Sequence, residues 1–487
     1  MRYIAPERLA SISIVPTLVR LAIVMMLFMA SAASAGELDL QPCEIPGVND
    51  ARCGSLTVAE NPAEPDGRQI DLNIVVLDAT GDSPSKDAIF YLAGGPGTAA
   101  TTAAPLFSSS PLREQRAFVL VDQRGTGGSN PLRCDVGTFA ESLQAMFTFD
   151  LSPYAAGCAE ELSKRADLRF YGTRQIVDDL DAVRRALGLS KINLFGGSYG
   201  TRVALQYLRA HGEHARSAIL RGVAGPEIHV PLGFAQSSLE ALRQVSADCK
   251  EQEACAADFP DLEAAVRKVA TRLDAEPVKG TVTDPASGEE QTLAVTGAEL
   301  RGLVHYLLYG TPLAARIPGI VKAAEAGDVE PALQMASGFG GQLLGRFHFG
   351  SFLAVICGED APFYDEADVA ERSQGSVLGG VLARGILKSC GEWPKSAVPD
   401  AFKQPVKSDV PVLMISGDSD PVTPASDAES AGRYLGGSAH LLLPDTAHFG
   451  IFPGCSGQLV AQFLDSASVE GLDDACVSEL ERPDFAL

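Results

Sequence analysis

The chain has 487 residues, 46% of them apolar and 21% charged, an ordinary globular balance that argues against a disordered chain and allows a large core. A formal charge of −23, from 62 acidic and 39 basic residues, argues against nucleic acid and anionic membrane as partners. It favours solubility and says little about a small substrate.

The first 35 residues differ from the rest. Arg2, Arg8 and Arg20 precede the apolar run Leu21–Ala30, and Ala33-Ser34-Ala35 has the small-x-small pattern of a cleavage site. That run is short for a bilayer span of about 20 residues. Residues 1–35 therefore read as a removed export signal, with an uncleaved anchor as the alternative, and the mature chain starts near Gly36. No later segment is long and apolar enough to span a bilayer, so no membrane partner is expected after signal removal.

All ten cysteines follow the signal. An even number in an exported chain suggests disulfides, though connectivity cannot be deduced from sequence alone. Pairing nearest neighbours gives Cys43–Cys53, Cys134–Cys158, Cys249–Cys255, Cys357–Cys390 and Cys455–Cys476, with free buried cysteines as the alternative. No Cys-x-x-Cys occurs to support a zinc ribbon or a thioredoxin-like site.

From Leu56 to about Val223 strand and helix patterns alternate, as in a mostly parallel sheet covered on both faces. Ile70–Leu77, Ala88–Leu92 and Ala117–Val121 read as strands, and Arg174–Leu187 as a helix with apolar residues at helical spacing. Strand Lys191–Phe195, helix Thr201–Arg209 and strand Ser217–Val223 follow. Between about Pro226 and Gln404 helical patterns dominate, as in an inserted cap. Alternation returns with Val410–Ile415, Ala439–Leu443 and a helix near Ser456–Leu464. The expected organisation is an α/β-hydrolase core over residues 36–225, a helical cap over 226–404 and the rest of the core over 405–487.

The sharpest motif is Gly196-Gly197-Ser198-Tyr199-Gly200, a Gly-x-Ser-x-Gly between a strand and a helix. Such a turn lifts the serine hydroxyl above the sheet and points the following helix N-terminus at it. Serine needs a base, and in this fold acid and histidine follow it in that order. His448, in the loop after strand Ala439–Leu443, fits the base, whereas His440 within that strand suits a structural role. Asp418 and Asp420 both follow the strand Val410–Ile415, and position alone leaves them tied as the acid. An oxyanion hole would use the backbone N–H of Tyr199 and that of Gly95, in Gly94-Gly95-Pro96-Gly97 after an earlier strand. His211 and His214 read as surface residues rather than a metal pair, and His229, His305 and His348 receive no role. No metal or cofactor is expected.

Together Gly94-Gly95-Pro96-Gly97, Asp122-Gln123-Arg124-Gly125-Thr126-Gly127-Gly128-Ser129, Gly196-Gly197-Ser198-Tyr199-Gly200-Thr201 and Asp420-Pro421-Val422-Thr423-Pro424 resemble the proline iminopeptidase/tripeptidyl aminopeptidase family of serine peptidases. The C-terminal part resembles the TAP-like segment of exported members. The resemblance implies an aminopeptidase acting on peptides with a free N-terminus, favours Asp420 over Asp418, and maps His448 onto the catalytic histidine. Phe449 stands where the family usually has glycine, and the histidine that often precedes the glycine loop is absent. Cys357-Gly358-Glu359-Asp360 resembles a cap motif of exported relatives, and Glu359 or Asp360 could hold the substrate ammonium, with a surface role near a disulfide as the alternative. Arg124 reads as structural. An esterase or lipase with the same triad is the rival within the fold, and a non-catalytic binding protein the remote one. The expected location is periplasmic or secreted.

Overall fold

The computed structural model describes residues 38–394, 398–449, 454–480 and 485, so the expected export signal lies outside the described residues. In chain order the strands are β1 (Gln41–Ile45), β2 (Val48–Ala59), β3 (Gln69–Leu77), β4 (Ala88–Leu92), β5 (Ala117–Val121), β6 (Ile192–Gly197), β7 (Ala215–Arg221), β8 (Val278–Thr283), β9 (Glu290–Val295), β10 (Val412–Gly417) and β11 (Ser438–Leu443). Among the described residues nine of them form one sheet, ordered β1-β2-β3-β5-β4-β6-β7-β10-β11. The pairs β1/β2, β2/β3 and β3/β5 are antiparallel, and every pair from β5/β4 to β10/β11 is parallel.

The central strands are apolar on both faces because each face packs on helices. Phe90, Val119, Leu194, Leu220 and Met414 join one core with the helices Thr173–Ala186 and Tyr199–His211. Their neighbours Ile89, Phe118, Phe195, Ile219 and Ile415 join a second core with Phe107 and the helix Cys455–Ser466. Alternation with a period of two thus divides each strand between two buried layers. The fold is an α/β-hydrolase fold with helical insertions.

The larger insertion lies between β7 and β10. It holds the helices Phe234–Glu251, Leu262–Ala275, Gly297–Leu307, Ile317–Glu325, Phe349–Glu359 and Val381–Gly391. It also holds the antiparallel pair β8/β9, which the helical reading of this stretch left out. A second excursion follows β5. Leu143, Met146 and Phe147 of the helix Phe139–Thr148 pack with Leu242, Leu303 and Leu307. Ala155, Ala159 and Leu162 of the helix Ser152–Ser163 pack with Phe352, Leu353 and Ile386. These residues belong to the cap's packing although they fall inside the 36–225 segment assigned to the core.

The five disulfides are Cys43–Cys53, Cys134–Cys158, Cys249–Cys255, Cys357–Cys390 and Cys455–Cys476, the pairs that neighbour order gives. They suit an oxidising, extracytoplasmic compartment. Among the described residues no helix is long and apolar enough to cross a membrane.

The Cys357–Cys390 bridge closes 33 residues and ties the helix Phe349–Glu359 to the helix Val381–Gly391. Chain-entropy arguments give a loop of that size about 3–4 kcal/mol of stabilisation. The double variant Cys357→Ser/Cys390→Ser should therefore lower the denaturant midpoint of unfolding. An unchanged midpoint would remove the bridge from the structural account.

Candidate active site

Five neighbouring parallel strands bring the site together at their carboxyl ends, where open α/β sheets place their ligands. Gly94 and Gly95 follow β4, Ser198 follows β6, Arg221 ends β7, Asp420 follows β10 and His448 follows β11.

Ser198 takes φ 54° and ψ −126°, a conformation that L side chains rarely adopt, at the junction of β6 and the helix Tyr199–His211. Its N–H donates to the Arg221 carbonyl at 2.9 Å, and its own carbonyl accepts from Thr201 N–H at 2.8 Å and Thr201 Oγ1 at 2.6 Å. The turn closes only because residue 200 is glycine: a Cβ there would stand 2.0 Å from the Leu92 carbonyl oxygen. The Gly94 loop also comes near, since a Cβ on Gly94 would lie 3.1 Å from Ser198 Cβ. Gly95 has φ 108°, which glycine alone adopts freely. Tyr199 is the first residue of its helix, where a backbone N–H has no intrahelical acceptor.

His448 Nδ1 lies 2.7 Å from Asp420 Oδ2. Thr423 Oγ1 donates to the same oxygen at 2.8 Å, and the N–H groups of Val422 and Thr423 donate to Oδ1 at 2.8 and 2.9 Å. Burial raises the Asp420 carboxyl, but the adjacent His448 and these hydrogen bonds outweigh it and hold the group below its ordinary range. Asp418 has a different task. Its exposed carboxylate accepts from the N–H groups of Asp445 and Thr446 at 3.0 and 3.2 Å, fixing the turn that carries His448. Position had left these two acids tied, and their partners separate them.

Ser198 and His448 line one cavity of about 300 Å³. Its walls are largely apolar, with Met146, Phe149, Phe234, Tyr309, Phe352 and Val422 among them. Two arginines, Arg221 and Arg346, also line it, and among the described residues none that lines it is acidic.

Glu359 and Asp360, expected to meet a substrate ammonium, do not reach this cavity, and that expectation is corrected. They are 1% and 0% exposed and are held by protein partners. Glu359 accepts from Thr173 N–H at 2.6 Å and Thr173 Oγ1 at 2.7 Å, and Thr173 Oγ1 in turn accepts from the Tyr199 hydroxyl at 2.7 Å. Asp360 takes two bonds from the Arg202 guanidinium, at 2.7 and 3.0 Å, and one from Lys403 Nζ at 3.0 Å. Burial raises the Glu359 carboxyl despite nearby Arg202, whereas for Asp360 the two cations overcome burial and lower it. Both acids therefore hold the far side of the helix that follows Ser198.

Three histidines without a sequence role now have partners. His348 Nδ1 donates to the Gly97 carbonyl at 3.0 Å and Nε2 accepts from Gly127 N–H at 3.2 Å, joining two glycine loops. His305 Nδ1 lies 2.7 Å from Ser238 Oγ, and burial, with His448 nearby, pushes its pKa down to about 3. His229 stacks on Phe363. His440 Nε2 meets Ser416 Oγ at 3.0 Å within the β10/β11 pair. His211 meets Asp178 at 3.2 Å, and among the described residues no cluster suited to a metal ion occurs. Arg124 is structural, bonded to Asp179 at 2.7 and 2.6 Å and to the carbonyls of Glu60 and Phe170.

Two predictions follow from the charges. Asp360→Asn takes from buried Arg202 the carboxylate it hydrogen-bonds, leaving Glu359 at 3.7 Å, and breaking a buried pair typically costs about 3–5 kcal/mol. It should lower the denaturant midpoint without selectively raising KM for free-amine substrates, the signature that an ammonium-binding role would leave. The second concerns Asp427, in the helix Ala425–Gly432, which burial, aided by Asp420 and Glu227, pushes up to about 7. An unfolded aspartate titrates near about 3.9. Between those values the folded chain keeps a proton that the unfolded chain has released, so this group makes stability fall as pH rises. Asp427→Asn should lose less stability than the unsubstituted chain between pH 5 and pH 8, and equal losses would refute the assignment.

Residues 87–287 match a family model described as alpha/beta hydrolase fold, and residues 376–476 match one described as TAP-like protein. The serine protease Hip1 of Mycobacterium tuberculosis is 26% identical to the chain, with 86% of each sequence covered. The tripeptidyl aminopeptidase of Streptomyces coelicolor is 32% identical over 40% of each. Carboxylesterase B of Mycobacterium tuberculosis is 25% identical over 84% of this chain and 82% of its own. Among solved structures, the proline iminopeptidase of Mycobacterium smegmatis aligns with a TM-score of 0.41 and 16% identity, covering 85% of this chain and 98% of that one. The chain belongs to the α/β-hydrolases with a TAP-like C-terminal segment, and it is a serine hydrolase.

Proposed function

We propose that the chain is a periplasmic or secreted serine peptidase that releases short peptides from peptide N-termini through an acyl-enzyme on Ser198. The observation that carries this reading is that His448, paired with Asp420, and Ser198, on its strained turn, line one largely apolar cavity. With Nδ1 committed to Asp420, His448 has Nε2 available as the base. His448 takes the Ser198 hydroxyl proton as Oγ attacks the carbonyl carbon. The N–H groups of Gly95 and Tyr199 stabilise the oxyanion. His448 then gives the proton to the leaving amine, the C–N bond breaks, and water activated by His448 releases the acyl group.

The relatives named serine protease and tripeptidyl aminopeptidase support a peptide substrate. The cavity bears on how much is removed. Single-residue release would set the ammonium beside the scissile carbonyl, where no carboxylate lines the cavity. In a tripeptide the ammonium lies about 10 Å away, at roughly 3.3 Å per extended residue. Short peptides therefore fit better than a single N-terminal proline. The same absent carboxylate favours a second reading, a carboxylesterase with the same triad, which a relative so named also supports.

A panel of aminoacyl and tripeptidyl nitroanilides, free and N-acetylated, together with p-nitrophenyl esters, separates these readings. Free tripeptidyl amides should be cleaved well, single aminoacyl amides poorly, and Ser198→Ala should lower every rate by about 10³-fold or more. Ester turnover without amide turnover would make the chain an esterase, and full activity in Ser198→Ala would remove the nucleophile assignment.

A further inference from the structure

We propose that Arg221 makes the Ser198 cavity a binding site for acyl groups that carry a carboxylate, such as a glutamyl residue at the cleaved bond. The inference rests on Ser198 as the acyl-forming residue and not on the choice between amide and ester.

Arg221 is the last residue of β7 and pairs in register with Gly197, the residue before the nucleophile. Its side chain returns to the same spot: a Cβ on Gly197 would lie 3.2 Å from Arg221 Nη2. The guanidinium thus stands one residue from Ser198, within reach of a short acyl side chain whose carbonyl is held at the serine. Protein surrounds Arg221, yet part of its surface stays accessible, and the cavity is lined by it. Burial lowers its pKa, with Tyr91 and Asp420 opposing, but a guanidinium remains protonated throughout the working range.

The surroundings suit an anion. Among the described residues the lining includes Arg346, exposed at residue level, and no aspartate or glutamate, in a chain that carries 62 acidic and 39 basic residues. Tyr91 and Thr98 add hydroxyl groups on the β4 side of the cavity. The apolar walls lower the local dielectric, which strengthens charge-assisted bonds made there. A carboxylate matches the planar guanidinium with two parallel bonds, a fit that an amide of equal size lacks.

The test compares the p-nitrophenyl monoester of glutaric acid with its methyl-capped, uncharged counterpart, and glutamyl with glutaminyl tripeptide nitroanilides. The charged member of each pair should be preferred in kcat/KM by about 10- to 100-fold, the range set by one charge-assisted bond pair. Arg221→Gln should remove the preference, and Arg221→Lys should restore part of it. Binding of N-acetylglutamate against N-acetylglutamine to the unsubstituted protein, followed calorimetrically, reads the same preference without turnover or a variant that folds poorly. Equal rates and equal binding would overturn the proposal. Loss of all hydrolysis with glutamate binding preserved would instead strike at Ser198 and leave this site standing.

Discussion

The close approach of β4 to the helix after β6 governs the geometry of the site. The Leu92 carbonyl oxygen would sit 2.0 Å from any Cβ at position 200, and the carbonyl oxygen of Ala93 3.0 Å from it. This contact lets the end of β4 run directly past Ser198, so that a Cβ on Gly94 would lie 3.1 Å from Ser198 Cβ. The N–H groups of Gly95, in the loop after β4, and of Tyr199, at the start of the helix, are the two donors of the proposed oxyanion hole. A larger residue at 200 would separate the strand end from the helix and draw one donor away. Electrostatic stabilisation depends on donors already placed before the reaction, so this packing constraint is also a catalytic one.

A second constraint comes from the cap. The helix Phe349–Glu359 is bonded to the core at both ends. At its start His348 joins the loops at Gly97 and Gly127, and Ser351 Oγ donates to the Gly125 carbonyl. At its end Glu359 holds Thr173, and the next residue, Asp360, pairs with Arg202 and Lys403. Buried ions are costly unless every partner is in place. That requirement fixes the register between this helix and the one after Ser198. The cap is therefore not a separable lid along this helix, and its acids serve the nucleophile turn indirectly.

Legibility in the sequence followed burial. Strands β4 and β5 were readable to the residue because they are short, apolar and end in glycine-rich turns, and β6, β7, β10 and β11 were readable within a few residues. β1 and β2 were not, because their mixed and partly exposed residues lack the apolar run of a buried strand. The hairpin β8/β9 escaped for the same reason, with Val278–Thr283 alternating small and polar residues. The helices after β5 were missed as part of the cap because long-range packing of Leu143 or Ala155 leaves no local mark. Motif and chain order pointed to Ser198 and His448; position alone left Asp418 and Asp420 tied, the family resemblance favoured Asp420, and the fold adds its contact with His448. Arg221 had one available signal. It ends a parallel strand next to Gly222, and carboxyl ends of such strands face the ligand side.

The same logic explains why Glu359 and Asp360 misled. A carboxylate in a cap motif is a reasonable ammonium ligand until its counter-ions are counted, and these two are already satisfied by Thr173, Arg202 and Lys403. Their commitment leaves a cavity whose fixed formal charges, among the described residues, are both arginine. The molecule then carries two fields of opposite sign. Its acidic surface acts over about 8–10 Å at moderate salt and disfavours anions outside. The enclosed arginine acts at contact distance, where screening by salt is weak. Such a division makes recognition local: selection arises after entry, between the guanidinium and the acyl group already seated at Ser198, rather than from long-range steering of the substrate.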